Sequence, residues 1–167
     1  MSKSALMVID VQKDVVANGF ETERVVSNIN SLISKARASH VPVIWVQHSD
    51  DYLVKGSEGW NFVDELEPLD SDSRIYKTQP SSFEGTNLLD LLNELGTNEL
   101  VITGAQTDFC VNATSNAGVE LGFEVVLVGD AHTTENTAAK TAQEIIAEKN
   151  SSFQEIGRVA QTSEISF

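Results

Sequence analysis

The single cysteine of the chain, Cys110, is the residue best suited to covalent chemistry. It lies in the stretch 104–111 (GAQTDFCV), directly after the apolar run Leu100-Val101-Ile102. A strand that breaks at a glycine and restarts as a helix places the sulfur at a helix N-terminus, where unpaired backbone N–H groups and the helix dipole favour a thiolate. The position therefore allows a nucleophilic Cys110, although a lone cysteine is more often a small buried hydrophobic residue.

Two further residues with catalytic side chains follow apolar runs of the same kind. Asp10 ends the run 5–9, and Lys77 follows the short run Arg74-Ile75-Tyr76. A lysine near the sulfur lowers the pKa of the thiol, and an aspartate can take the thiol proton and later give it to a leaving group. Each residue also has an ordinary interpretation, Asp10 as a turn or capping residue and Lys77 as a surface charge. Spacing alone does not establish that the three side chains meet.

The elements that must position these residues alternate between buried strands and amphipathic helices. Continuous apolar runs predict strands at 5–9, 42–46, 100–103 and 123–128, with a further short strand at 74–76. Apolar residues at three- and four-residue spacing predict helices over 22–39, 86–95, 111–121 and 137–149. We therefore expect a three-layer α/β/α sandwich with a central, mostly parallel sheet. Ligands of such sheets bind beyond the carboxyl ends of the strands, where Asp10 and Cys110 are predicted.

Composition and charge narrow the class of protein. The 167 residues suit a single domain over 1–167, with 41% hydrophobic and 22% charged residues. One cysteine cannot form an intramolecular disulfide, and no apolar run reaches the length of a signal peptide or a membrane span, so we expect a cytoplasmic protein. The net charge of -14 disfavours nucleic acid as a partner, because its phosphates would be repelled.

The longest stretch without clear periodicity is the acidic segment 50–73. Segments of this length in compact domains are often lids or binding elements. Its Trp60 and Phe62 could pack over a site or anchor the segment to the body of the protein. The sequence does not decide between these two roles.

Five stretches of the chain, in this order, resemble the isochorismatase-like cysteine hydrolases, the superfamily that includes nicotinamidase and N-carbamoylsarcosine amidohydrolase. They are 5–12 (ALMVIDVQ), 42–48 (PVIWVQH), 77–86 with Lys77, 104–111 and 130–133 (DAHT). The resemblance covers nearly the whole chain. It implies a triad of Asp10, Lys77 and Cys110 on a central parallel sheet.

The same resemblance implies further features of the site and the assembly. A non-proline cis peptide is expected just before the nucleophile turn, here between Ala105 and Gln106. The backbone N–H groups of Gln106 and Cys110 are expected to hold a developing oxyanion. The family often pairs subunits, which implies a homo-oligomer, a dimer or a tetramer.

Departures from the family pattern bear on the substrate. Nicotinamidases carry a metal-binding Asp-x-His after the second strand, where this chain has Gln47-His48-Ser49, so we expect no metal and no cofactor. The aromatic residue that often follows Asp-x-Gln-x-x in the family is replaced by Val15, which removes a stacking surface for a flat ring. Members that cleave a vinyl ether tend to lack the cysteine, so Cys110 favours C–N hydrolysis.

These features predict a hydrolase that cleaves a C–N bond of a small amide or carbamoyl compound through a thioester on Cys110. His48, Trp60 and Phe83 are candidates for the pocket walls, and His48 could equally fix the segment 50–73. Two alternatives stay open: a vinyl-ether hydrolase with Asp10 as general acid, and a non-catalytic binding protein with the same fold.

A second histidine that follows a predicted strand is His132. Its neighbours Thr133 and Thr134 suggest the capped start of a helix at this point. The imidazole is a lesser candidate for contact with substrate.

Overall fold

A computed structural model describes residues 3–167 of the chain. The strands are β1 (Ser4–Ile9), β2 (Val43–His48), β3 (Ser73–Lys77), β4 (Glu99–Ala105), β5 (Glu124–Thr133) and β6 (Arg158–Ala160). The helices are α1 (Lys13–Val16), α2 (Thr22–Ala38), α3 (Leu88–Leu95), α4 (Asn112–Glu120) and α5 (Ala142–Phe153). A π-helical turn, Thr107–Val111, joins β4 to α4, and a 3-10 turn, Thr162–Glu164, follows β6.

The six strands form one sheet in the order β3-β2-β1-β4-β5-β6, and every pairing is parallel. From β1 the chain proceeds to one edge of the sheet, and from β4 it proceeds to the other edge. The neighbouring strands β1 and β4 therefore form the switch point of the topology, and a crevice opens between the loops at their carboxyl ends. Asp10 and Cys110 belong to these two loops.

Alternate residues of the strands point into two separate cores, because successive side chains of a strand face opposite sides of the sheet. Leu6 and Val8 of β1 pack on the side that α2 covers. Met7 and Ile9 pack on the opposite side, with apolar residues of α3, α4 and α5. Helices cover both faces of the sheet, which confirms the predicted three-layer α/β/α fold. Within residues 3–167, no helix is both long enough and apolar enough to cross a bilayer.

The close approach of β1 and β4 requires glycine at position 104. Gly104 has φ +121° and pairs with Ile9 in the sheet register. A Cβ at this position would overlap the carbonyl oxygen of Ile9. Only glycine fits here without strain, and the fit keeps the two loops that carry Asp10 and Cys110 next to each other.

Two predicted elements differ from the structure. The last helix begins at Ala142 rather than at 137, because Thr141 caps it: the Thr141 hydroxyl accepts a hydrogen bond from the Glu144 amide, and the Glu144 carboxylate accepts one from the Thr141 amide. Thr133 is the last residue of β5 instead of a helix cap. The strand β6 was not predicted, since three residues are too few to show a periodic pattern.

Candidate active site

The ends of three strands bring the aspartate, the lysine and the sulfur together. Asp10 directly follows β1 in a left-handed conformation, with φ +52°, Lys77 is the last residue of β3, and Cys110 lies in the π-helical turn after β4. The Nζ atom of Lys77 lies 2.9 Å from Oδ2 of Asp10 and 3.1 Å from Sγ of Cys110. The three residues that the sequence singled out therefore meet at one place on the carboxyl edge of the sheet.

Lys77 is the centre of this cluster. Its side chain is fully buried, and Nζ also contacts Nδ1 of His48 at 2.9 Å and the carbonyl oxygen of Gln79 at 3.1 Å. An ammonium group has three protons for these four acceptors, so at least one proton is shared. Because the ammonium group can only donate, Nδ1 of His48 accepts, and the proton of the neutral ring is on Nε2. That atom faces Oδ2 of Asp50 at 3.3 Å.

The same cluster offers possible ligands for a metal ion. Asp10, His48 and Cys110 each present one ligand atom, and these atoms lie within 4.8 Å of one another. The Lys77 ammonium group lies between them, within hydrogen-bond distance of an atom of each. A metal ion at this place would compete with Lys77 for these three residues.

One oxygen of the Asp10 carboxylate has no partner. Oδ2 is paired with Lys77, whereas the buried Oδ1 accepts no hydrogen bond from any residue in 3–167. Burial raises the pKa of Asp10, and the positive charge of Lys77 opposes the rise. A buried carboxylate oxygen without a donor is unfavourable, so this atom is ready to accept a proton.

The thiol of Cys110 is protonated in the resting protein. Burial of the sulfur and the nearby Asp10 carboxylate raise the pKa of Cys110 to about 12, although Lys77 opposes this rise. The expectation that the start of a helix would favour the thiolate was therefore wrong. Loss of hydration and a neighbouring negative charge outweigh the ammonium group and the dipole at this site.

A cavity of about 530 Å³ opens beside the sulfur. Asp10, His48, Gln106 and Cys110 contribute polar atoms to its lining, and its apolar walls include Val15, Leu53 and Phe109. A second cavity, of about 610 Å³, lies against α1 and the start of α2, and none of the three clustered residues lines it. The smaller cavity therefore has the volume of a small-molecule site and contains the reactive groups.

Of the three candidates for pocket walls, only His48 lines this cavity. Trp60 stacks on Tyr76 with ring centroids 6.0 Å apart, and Phe83 stacks on Phe123 at 6.1 Å. Aromatic partners outside the cavity hold both rings, and the sequence gives no sign of these pairings. The structure thus places Trp60 and Phe83 away from the cavity, as packing residues.

The segment 50–73 is anchored near its middle. The side-chain amide of Gln12 donates a hydrogen bond to the carbonyl oxygen of Trp60 at 2.9 Å, and the ring of Phe62 packs edge-on against Trp45 at 5.1 Å. Of the two roles considered for Trp60 and Phe62, these contacts favour anchoring. That the segment acts as a lid stays a prediction.

A second polar cluster lies behind the turn that carries Cys110. The peptide bond between Ala105 and Gln106 is cis, and the next residue, Thr107, contacts Nδ1 of His132 at 2.7 Å. Nε2 of His132 contacts the side-chain oxygen of Asn150 at 2.8 Å. An amide oxygen can only accept, so Nε2 carries the proton and Nδ1 accepts from the Thr107 hydroxyl. Burial lowers the pKa of His132, which stays neutral and lies outside the cavity.

Sequence reasoning did not identify several cavity residues. Asp14, Asp50 and Phe109 line the cavity, and Phe109 is 57% exposed directly beside Cys110. An apolar residue next to a candidate nucleophile was a usable signal for Phe109. The two acids could not be distinguished from the rest of an acidic surface, because charge alone does not reveal proximity.

Comparison with known proteins agrees with this geometry. The model of the isochorismatase domain family matches residues 4–160. An uncharacterised isochorismatase family protein of Bacillus subtilis is 34% identical over 137 residues, which cover 77% of this chain and 76% of that one. The ureidoacrylate amidohydrolase of Klebsiella pneumoniae is 29% identical over 171 aligned positions, covering 77% of this chain and 72% of that one.

Comparison with solved structures also finds isochorismatase family proteins. A crystal structure of an isochorismatase family protein superposes with a TM-score of 0.92 at 30% identity, and the match covers 96% of this chain and 99% of that one. The chain therefore belongs to the isochorismatase family of hydrolases, as its motifs predicted.

Proposed function

We propose that this isochorismatase-family protein hydrolyses a C–N bond of a small amide or carbamoyl compound through a thioester on Cys110. The observation that carries the proposal is the position of Lys77, 2.9 Å from Asp10 and 3.1 Å from the sulfur, next to a carboxylate oxygen that lacks a partner. An amidohydrolase among the relatives supports the reaction class. Asp10, Lys77 and Cys110 form the catalytic triad of this proposal.

The first step is a proton transfer from Cys110 to the free oxygen of Asp10. The raised pKa of Asp10 makes this carboxylate a stronger base than an exposed aspartate. The total charge of the three side chains does not change when the proton moves from sulfur to oxygen. Lys77 contacts both groups, so its ammonium stabilises the negative charge before and after the transfer.

In the second step the sulfur attacks the carbonyl carbon of the substrate. A C–S bond forms, and the electron pair of the C=O double bond moves to the oxygen. The backbone N–H groups of Gln106 and Cys110, in the turn that follows Ala105, hold this oxyanion. Both residues line the cavity, which supports this role.

Collapse of the tetrahedral intermediate breaks the C–N bond. The protonated Asp10 gives its proton to the departing nitrogen, which leaves as ammonia or an amine. Asp10 then takes a proton from a water molecule that attacks the thioester. Breakage of the C–S bond returns the proton to sulfur and releases the acid, so the triad regains its starting state.

The lining of the cavity bears on the shape of the substrate. Val15 is one of the wall residues, at the position where many family members have an aromatic side chain. A small aliphatic side chain offers no ring on which a flat substrate could stack. This wall therefore suits an aliphatic amide or a carbamoyl compound, and a flat ring could stack only on Tyr52 or Phe109.

The direct test is ammonia release from a panel of small carboxamides and ureas, with intact-mass detection of acylated protein after an acid quench. We expect turnover in the native protein and a loss of about 10⁴-fold or more in Cys110→Ala and Cys110→Ser. Ser115→Ala is the matched control, since its buried hydroxyl has no partner among the described residues and lies outside the cavity. Ammonia release retained in Cys110→Ala would contradict the thioester. Cleavage of a vinyl ether that persists in Cys110→Ala and is lost in Asp10→Ala, with no ammonia from any amide of the panel, would favour the vinyl-ether type of reaction instead.

The homo-oligomer that the family resemblance implied stays a prediction. Light scattering coupled to size exclusion would give the mass of the assembly in solution. A dimer or a tetramer is the expected result.

A further inference from the structure

The cavity beside Cys110 has an excess of negative charge. The charges of Asp10 and Lys77 cancel, since the two groups form a buried ion pair 2.9 Å apart. Asp14 and Asp50 contribute two more carboxylates to the lining. Among the described residues that line this cavity, there is no lysine or arginine to balance them.

Asp50 is held in place as an ion. Its Oδ1 atom accepts hydrogen bonds from the backbone amides of Leu53 at 2.7 Å and Tyr52 at 2.8 Å. These amides lower the pKa of Asp50, so the carboxylate is charged at neutral pH. The other oxygen, Oδ2, faces Nε2 of His48 at 3.3 Å.

Asp14 supplies the second carboxylate of the cavity. It lies on α1, and its backbone amide donates to the carbonyl oxygen of Gly59 at 3.0 Å. A Cβ at position 59 would overlap the Asp14 carboxylate, so this carboxylate packs directly against the glycine backbone. Within residues 3–167 it has no hydrogen bond or ion pair to a side chain, and its charge is therefore available to a ligand.

Two other features of the same cavity point to a ligand with donor groups. Oδ1 of Asp10 is buried, lines the cavity and has no donor among residues 3–167. The rings of Tyr52 and Phe109 also line it and are 97% and 57% exposed. Exposed aromatic faces attract cations as well as apolar chains. The free oxygen favours a ligand that donates a hydrogen bond, and the two rings favour a cation or an apolar chain.

We propose that the substrate of this cavity is a cationic amide, whose ammonium or guanidinium group is held by Asp14 and Asp50 while its carbonyl group lies at Cys110. This inference rests on the proposed function and names the class of substrate for it. A carboxylate substrate is disfavoured, because it would approach the carboxylates of Asp14 and Asp50 with no lysine or arginine in the described lining to offset them.

The charge of the cavity can be measured at the sulfur itself. Cys110 is the only cysteine of the chain, so methanethiosulfonate reagents with a cationic ethyltrimethylammonium or an anionic ethylsulfonate tail report on this site alone. The quantity of interest is the ratio of the cationic rate to the anionic rate, divided by the same ratio for N-acetylcysteine amide. We expect this normalised ratio to be well above one in the native protein.

Substitutions distinguish the effect of the cavity carboxylates on this ratio from the effect of the protein's overall negative charge. We expect Asp14→Asn and Asp50→Asn each to lower the ratio by about three- to tenfold, which is the size of a partly screened interaction over a short distance. Asp70→Asn is the matched control, because it removes the same charge from an exposed position outside the cavity. A normalised ratio at or below one, or equal effects of Asp14→Asn and Asp70→Asn, would overturn the inference.

A set of matched amides tests the substrate class directly. 4-Aminobutanamide, pentanamide and succinamate have similar length and differ in charge, and ammonia release gives kcat/KM for each. We expect the cationic amide to be hydrolysed fastest and its advantage to shrink in Asp14→Asn. Hydrolysis without preference for the cation would overturn this inference and leave the proposed function intact. A high reagent ratio without hydrolysis of any amide would instead support the cation site and contradict the proposed function.

Discussion

Two polar clusters lie on opposite sides of the turn 107–111, and they differ in charge and in hydrogen bonding. In front of the turn, Lys77 and Asp10 are charged, and one Asp10 oxygen has no partner. Behind the turn, His132 is neutral, and both of its ring nitrogens are hydrogen-bonded. A satisfied neutral cluster holds structure, whereas a charged cluster with an unused acceptor beside a cavity is prepared for chemistry.

The largest expected effect concerns the sulfur of the front cluster. Burial and the Asp10 carboxylate raise the pKa of Cys110 to about 12, so its thiolate population at pH 8 is far lower than that of an ordinary thiol. We expect iodoacetamide to alkylate Cys110 of the folded protein more slowly at pH 8 than it alkylates an ordinary thiol. The urea-unfolded chain is the control with an ordinary thiol. Alkylation of the folded protein at pH 8 as fast as that of the unfolded chain would contradict the resting state described here.

The second prediction concerns the ion pair of Asp10 and Lys77, which the cluster behind the turn lacks. Lys77→Met leaves the buried Asp10 carboxylate without its counter-ion, and we expect the free energy of unfolding to fall by about 3–5 kcal/mol in urea titrations at neutral pH. The loss should shrink as the pH falls, because a protonated Asp10 needs no counter-charge.

A double variant is the control for this prediction. Asp10→Asn combined with Lys77→Met removes both charges, and most of the lost stability should return. If Lys77→Met alone unfolds within about 1 kcal/mol of the native protein, the two buried groups are not an ion pair.

A smaller effect is expected behind the turn. Thr107→Val removes the hydroxyl that donates to Nδ1 of His132, and the unpaired nitrogen should cost about 1–3 kcal/mol of stability. Thr107→Ser keeps the donor and serves as the control. Equal unfolding free energies for the two variants would show that this hydrogen bond does not support the turn.

The smallest effect concerns Asp50 at the cavity. Backbone amides of Leu53 and Tyr52 lower its pKa, so its contribution to stability is present above the unfolded value near pH 4 and is lost as the pH falls through the folded value. Asp50→Asn should therefore be less stable than the native protein at pH 6, and this difference should vanish in acid. Because the side chain is half exposed, the difference at pH 6 should be below about 1 kcal/mol. A difference that does not depend on pH would assign the effect to packing.

Continuous apolar runs predicted the central strands, and apolar residues at three- and four-residue spacing predicted the helices. The runs 5–9 and 100–103 became the neighbouring strands β1 and β4, and the helix predicted over 22–39 is α2. These elements also predicted that Asp10 and Cys110 lie at the carboxyl ends of strands, which is where ligands of a parallel sheet bind.

Features that depend on contacts through space were not predictable from one sequence. The pKa of Cys110 is set by burial and by Asp10, a residue one hundred positions away in the chain. Trp60 and Phe83 were candidates for the pocket walls, but each stacks on an aromatic partner outside the cavity. Position along the chain indicated which residues could be catalytic. Which residues line the cavity around them depends on packing and could not be predicted from the sequence.

The central claim is that Asp10 activates the sulfur of Cys110 for acyl transfer. The measurement that tests it most directly is the rate at which p-nitrophenyl acetate acetylates Cys110, followed by nitrophenolate release and by the mass of the peptide that contains this residue. Acetylation of the native protein and a rate at least about 100-fold lower in Asp10→Asn are the predicted results. Acetylation of Asp10→Asn at the native rate would contradict the account.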